Sequence, residues 1–464
     1  MAKSRYSSYI SSKTLWQNEI PSHWQETELR MLFADNKNKN LGLVERNLLS
    51  LSYGKLKRKD IDNATGLVPA SFEGYQIIDK GYIVLRFTDL QNDKKSLRVG
   101  YVEEKGIITS AYIGLTPKAD IHSKYFYYQL HFLDKIKYFY NLGGGVRQSL
   151  AFKEFGRETV LIPPKEEQTA IARFLDYKLA KINRFIQKKK QLIKLLNEQK
   201  AAIINQAVTK GLDPNAKMKD SGIEWLGEIP EHWAVKPIKY FVTCNDESLT
   251  DKTDKDYQLR YIDIGNVDSD GNVSEIVSYK FKDAPSRARR IVKSGDIIVS
   301  TVRTYLKAIM HIKGDTENLI VSTGFAVLRP RKNVFSEFLN YAIRANYFIG
   351  KVVSESNGVS YPAINSTELI TLKIAIPLID EQKKIVQFID SETEIINTTI
   401  SKIEKELALT EEYKTALIAE AVTGKIDVRG YEVPEISEEE TYEEIEEEIS
   451  MAAEDEETYQ NIIE

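Results

Sequence analysis

The chain contains two copies of the same plan. Trp16-Gln-Asn-Glu-Ile-Pro-Ser-His-Trp24 returns 209 positions later as Trp225-Leu-Gly-Glu-Ile-Pro-Glu-His-Trp233. Pro163-x-x-x-Glu167-Gln168 returns 214 positions later as Pro377-x-x-x-Glu381-Gln382. Two motifs copied in the same order at nearly the same offset describe one unit of about 210 residues duplicated in tandem. Two similar units on one chain make a pseudo-two-fold object, suited to a target with two half-sites.

Within each copy a mixed block precedes a long helix. Residues 14–162 and 223–376 hold short β-branched and aromatic runs bounded by Gly, Asp and Asn, which predict strands. In the first these are Asn47–Ser52, Gly81–Phe87 and Ala111–Leu115, followed by a helical stretch at Tyr125–Phe132. In the second they are Leu259–Ile264, Gly295–Val302 and Gly324–Leu328, then helical Phe338–Ile343. Residues 163–212 and 377–428 carry the long helices, opened by Pro163-Pro164 and Pro377 with acidic residues in the first turn. Apolar residues recur there at heptad spacing: Leu175, Ile182, Ile186, Ile193, Leu196 and Ile203, then Ile389, Ile396, Ile400, Leu407 and Leu417. That is a coiled-coil seam, interrupted by Lys189, Lys200, Thr393, Thr410 and Lys414.

Charge predicts the pairing. Residues 163–210 carry a net +7 and residues 377–424 a net −5, so each helix repels its own copy and attracts the other. A two-fold relation makes that pair antiparallel. At 1.5 Å per residue, ~40 residues span about 60 Å, a ruler between two heads. The expected fold class is therefore α+β: two similar mixed α/β heads, a long antiparallel two-helix coiled coil and a pseudo-two-fold tandem repeat, followed by an acidic C-terminal tail.

The net charge of −4 conceals a division. Residues 430–464 hold 15 Asp/Glu and no Lys/Arg, which leaves +11 on the first 429. A basic body favours a polyanionic partner, while the tail, 429–464, is expected to be disordered. The single cysteine, Cys244, excludes a disulfide framework and a thiolate metal cluster. No apolar run of 18 residues and no apolar signal core occur, so a cytoplasmic chain that meets no membrane is expected. Catalytic patterns are missing as well. There is no G-x-x-x-x-G-K-[ST], G-x-S-x-G, H-E-x-x-H or N-P-P-[FY]. His23 and His232 lie in the copied motif without a second ligand at metal spacing, so packing is expected of them and no metal site. The four Trp residues of the copied openings are expected to pack the head entries against the long helices.

The duplicated Trp-x-x-Glu-Ile-Pro-x-His-Trp openings, the Gly-Val-x-x-x-x-Ala/Ile loops and Ile-Pro-x-x-x-Glu-Gln before a long helix resemble the specificity subunit of type I restriction-modification enzymes. The resemblance covers about residues 14–428. It implies two target-recognition domains that read a bipartite double-stranded DNA site, and no catalysis in this chain. It implies two modification (methyltransferase) subunits and restriction (motor-nuclease) subunits as partners. S-adenosylmethionine, ATP and Mg would belong to those partners. Base readers are then expected on matching loops: Arg86, Thr88, Arg147, Gln148 and Ser149 in the first head, with Arg303, Thr304, Tyr305, Lys307, Ser360 and Tyr361 as counterparts in the second. Arg and Gln suit bidentate readout of guanine and adenine. Arg287 and Arg290 are expected on phosphates. Two other readings fit the bare residues: a coiled-coil scaffold that never touches DNA, and a self-contained DNA-modifying enzyme.

Overall fold

The computed structural model describes residues 5–62, 69, 71–88, 90, 97–142, 149–358 and 361–434. They are drawn from two compact units, Met1–Lys190 with Glu404–Glu464, and Gln191–Ile403. The acidic tail from 435 onward lies outside the described residues.

In the first unit, β1 (Tyr9–Ser11) and β2 (Glu19–Pro21) form an antiparallel entry hairpin. β3 (Gln25–Glu28) pairs antiparallel with β12 (Thr159–Ile162), so the head closes on its own beginning. One four-stranded sheet has the order β6 (Lys55–Lys59), β5 (Leu48–Ser52), β10 (Gly106–Ile108), β7 (Gln76–Ile78). The other has the order β4 (Phe33–Asp35), β11 (Ile113–Pro117), β8 (Ile83–Leu85), β9 (Val99–Tyr101).

The second unit repeats this strand for strand. β13 (Met218–Asp220) and β14 (Glu228–Pro230) form its hairpin, and β15 (Ala234–Pro237) pairs with β24 (Lys373–Ile376). Its sheets run β18 (Val277–Lys280), β17 (Gln258–Ile262), β22 (Leu319–Ser322), β19 (Ala288–Ile291), and β16 (Val242–Cys244), β23 (Phe325–Pro330), β20 (Ile297–Ser300), β21 (Ile309–His311). Each strand of the first head has its counterpart twelve strands later. Even the parallel neighbours recur, β5 with β10 and β17 with β22.

The central strands explain why apolar runs, rather than alternation, mark them. Ile83 and Leu85 face the large core shared with the helix Ser123–Lys135, whereas Val84 faces a smaller core with Leu49, Leu51 and Ile78. Likewise Ile297 and Val299 face one core and Ile298 another. A strand covered on both faces needs apolar residues at every position. The heads begin earlier than the predicted residues 14 and 223, because the entry hairpins start at Tyr9 and Met218. Three-residue strands of mixed composition, such as Glu19-Ile-Pro21 and Met218-Lys-Asp220, carry too little pattern to be seen in sequence, unlike the all-apolar β8.

The first long helix is Lys165–Lys210 and the second Ile379–Val422. Of the seam residues, Leu175, Ile182, Ile186, Ile389, Ile396 and Leu417 are buried, and Ile193, Leu196, Ile203, Ile400 and Leu407 half-buried. The polar residues on the seam all have partners. In the first unit Lys189 pairs with Glu406 at 2.9 Å and Lys414 donates to Asn183 at 2.9 Å, the helix numbers running in opposite directions. Thr410, fully buried, donates to the Glu406 carbonyl at 2.6 Å. In the second unit Lys200 donates to Asn397 at 2.9 Å and Thr393 to the Asp390 carbonyl at 3.3 Å. A buried polar group without a partner is costly. The two threonine bonds stay within their own helix and satisfy the hydroxyls, while the three lysine pairs cross between the helices and fix register where the apolar pattern lapses.

The copied motifs form the joints between heads and helices. Glu167, in the first turn of the first helix, is 3% exposed. It accepts from His23 Nε2 at 2.8 Å, from Trp24 Nε1 at 2.9 Å and from the Tyr6 hydroxyl. Gln168 beside it accepts from the His122 amide at 2.9 Å and donates to the Pro163 carbonyl at 2.9 Å. In the second unit Glu381 accepts from His232 at 2.8 Å and Trp233 at 3.0 Å. Gln382 accepts from the Phe335 amide at 2.8 Å and donates to the Pro377 carbonyl at 2.9 Å. Each joint also receives a helix end. Gly424, left-handed (φ 74°), lies after the second helix against Pro21 and Trp24, and Gly211 (φ 72°) lies after the first helix against Pro230 and Trp233. Trp16 and Trp225 belong to the entry segments themselves. They sit in the hairpin loops, where Trp16 meets Phe132 edge-on at 6.1 Å and Trp225 lies under the Lys351 ammonium at 4.4 Å.

Candidate nucleic-acid interface

In the second head, β20 ends in a tight exposed turn. Arg303 (φ 52°) and Lys307 (φ 57°) are both left-handed and bracket the 3-10 turn Thr304–Leu306. For residues with a Cβ that conformation costs about 1–2 kcal/mol each, so neighbouring contacts must hold it. The Arg303 amide donates to the Pro362 carbonyl at 2.8 Å, and Thr304 and Ser356 share a hydroxyl–hydroxyl bond of 2.8 Å. The Arg303 guanidinium stacks 4.7 Å above the Tyr361 ring. Stacking fixes the plane of a fork of N–H donors without consuming them.

Arg303, Tyr305, Lys307 and Tyr361 are thus exposed in one cluster. Thr304 belongs to it in sequence but is 5% exposed, and its hydroxyl is used to hold the turn. Arg287 is exposed, and its carbonyl accepts from Thr323, whose neighbour Gly324 accepts from the amide and hydroxyl of Thr301. This places Arg287 on the same edge as the turn. Arg290 points elsewhere: it lies in β19 and donates to Ser248 at 3.3 Å. Ser360 lies outside the described residues.

In the first head, the loop of Arg86 and Thr88 is held from beneath by Arg98, which is fully buried. Its guanidinium donates to the carbonyls of Arg86 at 3.1 Å and Thr88 at 2.8 Å and to Tyr140 at 3.1 Å. The Arg98 amide donates to Asp134 at 2.5 Å. Burial pushes the Asp134 carboxyl above its usual range, while that amide and nearby cations pull it back. Ser149 is exposed and borders a cavity of about 240 Å³ with Phe87, Thr88 and Glu154. Arg147 and Gln148 lie outside the described residues.

The two loops are built alike. The Leu150 amide donates to the Phe87 carbonyl at 3.1 Å, and the Ile364 amide to the Thr301 carbonyl at 3.0 Å, each stitching the Gly-Val loop to the loop after the central strand. With β8 and β20 aligned, Arg86 falls at Ser300, and Arg303 lies three residues further along the loop. Shared motif offsets align scaffolds, not loop tips.

Arg98 was invisible in the sequence, where one more arginine in a charged segment carries no signal. Glu167 and Glu381 did have one: they are duplicated together with the His-Trp pairs they bind. Among the described residues no group of three His, Cys, Asp or Glu side chains could hold a metal ion. None of the described helices is long and apolar enough to cross a membrane.

Comparison with known proteins agrees with this architecture. The family model of the type I restriction modification DNA specificity domain matches residues 70–195 and 230–408, once in each half. The MjaVIII type I restriction enzyme specificity subunit of Methanocaldococcus jannaschii is 27% identical over 340 residues, 71% of this chain and 76% of that one. The HindI specificity subunit of Haemophilus influenzae is 31% identical over 155 residues, 29% of this chain and 33% of that one. A solved chain from work on complex assembly and conformational transition of the type I R-M system has a similar fold. Its TM-score is 0.63 at 14% identity, covering 88% of this chain and 99% of that one. The family model spans more than half of the residues, and the chain belongs to the family of type I restriction-modification DNA specificity subunits.

Proposed function

We propose that this chain directs a type I restriction-modification complex to a bipartite site in double-stranded DNA and is non-catalytic by itself. One observation carries this reading: a strand order repeated in full supports exposed loops that differ between the heads. A shared scaffold with unlike loops suits two readers of different half-sites. In the second head Arg303, stacked on Tyr361, is the leading base reader, with Tyr305 and Lys307 beside it. In the first head the Arg86–Thr88 loop and Ser149 take that role, with Arg147 and Gln148 from the Gly-Val loop. Arg287 fits a phosphate contact.

The paired helices set the gap between half-sites and dock two methyltransferase subunits. Leu192, Leu195, Phe388 and Ile395 are exposed on the second unit's helices, between 40% and 61%. Apolar side chains held open on a charged surface suit partner helices. S-adenosylmethionine, ATP and Mg belong to the methyltransferase and motor-nuclease partners, and the complex acts in the cytoplasm.

The test is to co-express the chain with its methyltransferase subunit and map methylated adenine in host DNA. One split motif with a fixed gap is expected. Arg303→Ala should relax one half-site, at about 1–3 kcal/mol per lost bidentate contact, and leave the other intact. An assembled complex that methylates no motif would favour a scaffold role. Simultaneous change of both halves would refute one head per half-site.

A further inference from the structure

The first head carries a basic strand that the second lacks. β6 reads Lys55-Leu-Lys-Arg-Lys59 and is the outer strand of its sheet. Side chains alternate along a strand, so Leu56 and Arg58 share one face and Lys55, Lys57 and Lys59 the other. Leu56 packs against the core of Leu49 and Leu51, and Arg58 donates to Glu104 at 2.6 Å. Those contacts fix which face turns outward.

All three lysines are exposed, and among the described residues none has an ion pair. Across the ladder, Lys55 lies opposite Ser52 and Lys57 opposite Ser50, so the partner strand brings no negative charge there. From Lys55 to Lys59 the row extends about 13 Å at ~3.3 Å per residue, the rise of roughly four base pairs.

The row begins beside the reading loop. Gly54, in the β5–β6 turn, abuts Leu97, which precedes the Arg98 that supports Arg86 and Thr88. Lys55 also lines a cleft of about 470 Å³ with Lys135 and Lys414, in which Lys124 pairs with the two lining acids, Glu103 and Asp176. The second head is different. Its equivalent strand, β18, is Val-Ser-Tyr-Lys, and Lys280 pairs with Asp256 at 3.3 Å, an acid shared with Lys282 at 3.1 Å.

We propose that Lys55, Lys57 and Lys59 form a rail that seats the sugar–phosphate backbone of double-stranded DNA on the first head. This deepens the DNA-reading function proposed above and rests on it. Such contacts position without reading sequence. Their signature is counterion release, a slope of log K on log salt of about 0.9 per phosphate neutralised on duplex DNA.

The experiment uses the full chain assembled with its methyltransferase subunits and a mixed-sequence duplex titrated over a salt series. K55Q/K57Q/K59Q should flatten the slope by roughly two to three, and K57Q alone by about one. K280Q/K282Q should keep the parent slope, and the methylated motif should stay the same in every variant. A triple variant with the parent slope overturns the rail while leaving the reading function intact. A changed motif also overturns it, since the lysines would then read bases. A parent complex that shows no salt-dependent DNA binding overturns the function and the rail together.

Discussion

The two heads share a strand order but not the strength of their joints. In the first, Glu167 is almost wholly buried and gathers three donors, Tyr6, His23 and Trp24. In the second, Glu381 has a side chain 30% exposed and two donors, His232 and Trp233. Tyr6 comes from the segment ahead of β1, and its ring also lies under the Arg429 guanidinium at 5.0 Å. Asn215, at the equivalent offset, supplies no such ring. The helix ends differ in the same direction. A Cβ on Gly424 would come within 2.4 Å of Pro21, whereas one on Gly211 would meet nothing nearer than 3.4 Å. Duplication kept the motif, and surrounding residues decided how tightly each copy closes.

The sharpest way to break this comparison is to remove the two glutamates in turn. Glu167→Ala leaves buried donors facing one another without an acceptor, and should cost about 3–5 kcal/mol. Glu381→Ala should cost about 1–2 kcal/mol. Urea unfolding followed by hydrogen exchange in each head measures both, and equal losses would end the claim of unequal joints.

The glycines sharpen it. Gly424→Ala meets a left-handed backbone and a proline ring with little freedom to move, for a loss of about 2–4 kcal/mol. Gly211→Ala meets the backbone strain alone, about 1–2 kcal/mol. Thermal unfolding of the two variants should rank them in that order, and the reverse order would mean that Pro21 yields.

Acid should also separate the heads, by a smaller amount. His131, on the helix Ser123–Lys135, is buried, and desolvation, helped by Lys135 and Lys414, depresses its pKa to about 4. The unfolded chain, titrating near 6.5, therefore binds the proton more tightly than the folded one. The stability contributed by neutral His131 is complete above pH ~6.5 and is lost as the pH falls towards ~4. Between pH 7 and 5 the first head should lose on the order of 1–2 kcal/mol. The corresponding site of the second head, counted from the matched Tyr128–Asp176 and Tyr341–Asp390 bonds, holds Arg344, which stays charged throughout. Burial also holds His122 in the first head and His311 in the second below the usual range, so exchange across that pH range should show the larger loss in the first head, and His131→Gln should reduce that excess.

Duplication made the architecture legible. The strands of the central sheets, the helix after them and the long helices could each be checked against a second copy, and Leu175 or Ile389 stood out by period. What stayed hidden has physical causes. The entry hairpins are three-residue strands whose stability comes from pairing, not pattern. Arg98 is a charge taken into a core and satisfied by carbonyls from a loop ten residues earlier, which no local preference announces. The left-handed Arg303 and Lys307 lack the glycine that marks most such turns. The cluster of Arg303 and Tyr361 was within reach because each lies near a copied anchor, yet their stacking is a tertiary fact.

The joints have a genetic consequence. The shared part of each joint, from the His-Trp pair to the Glu-Gln of the helix, is spelled alike in both copies. Recombination within the stretches that encode the joints would replace one head's loops while preserving its fastening. On the proposed reading of one half-site per head, a single crossover would exchange one half-site and leave the other untouched.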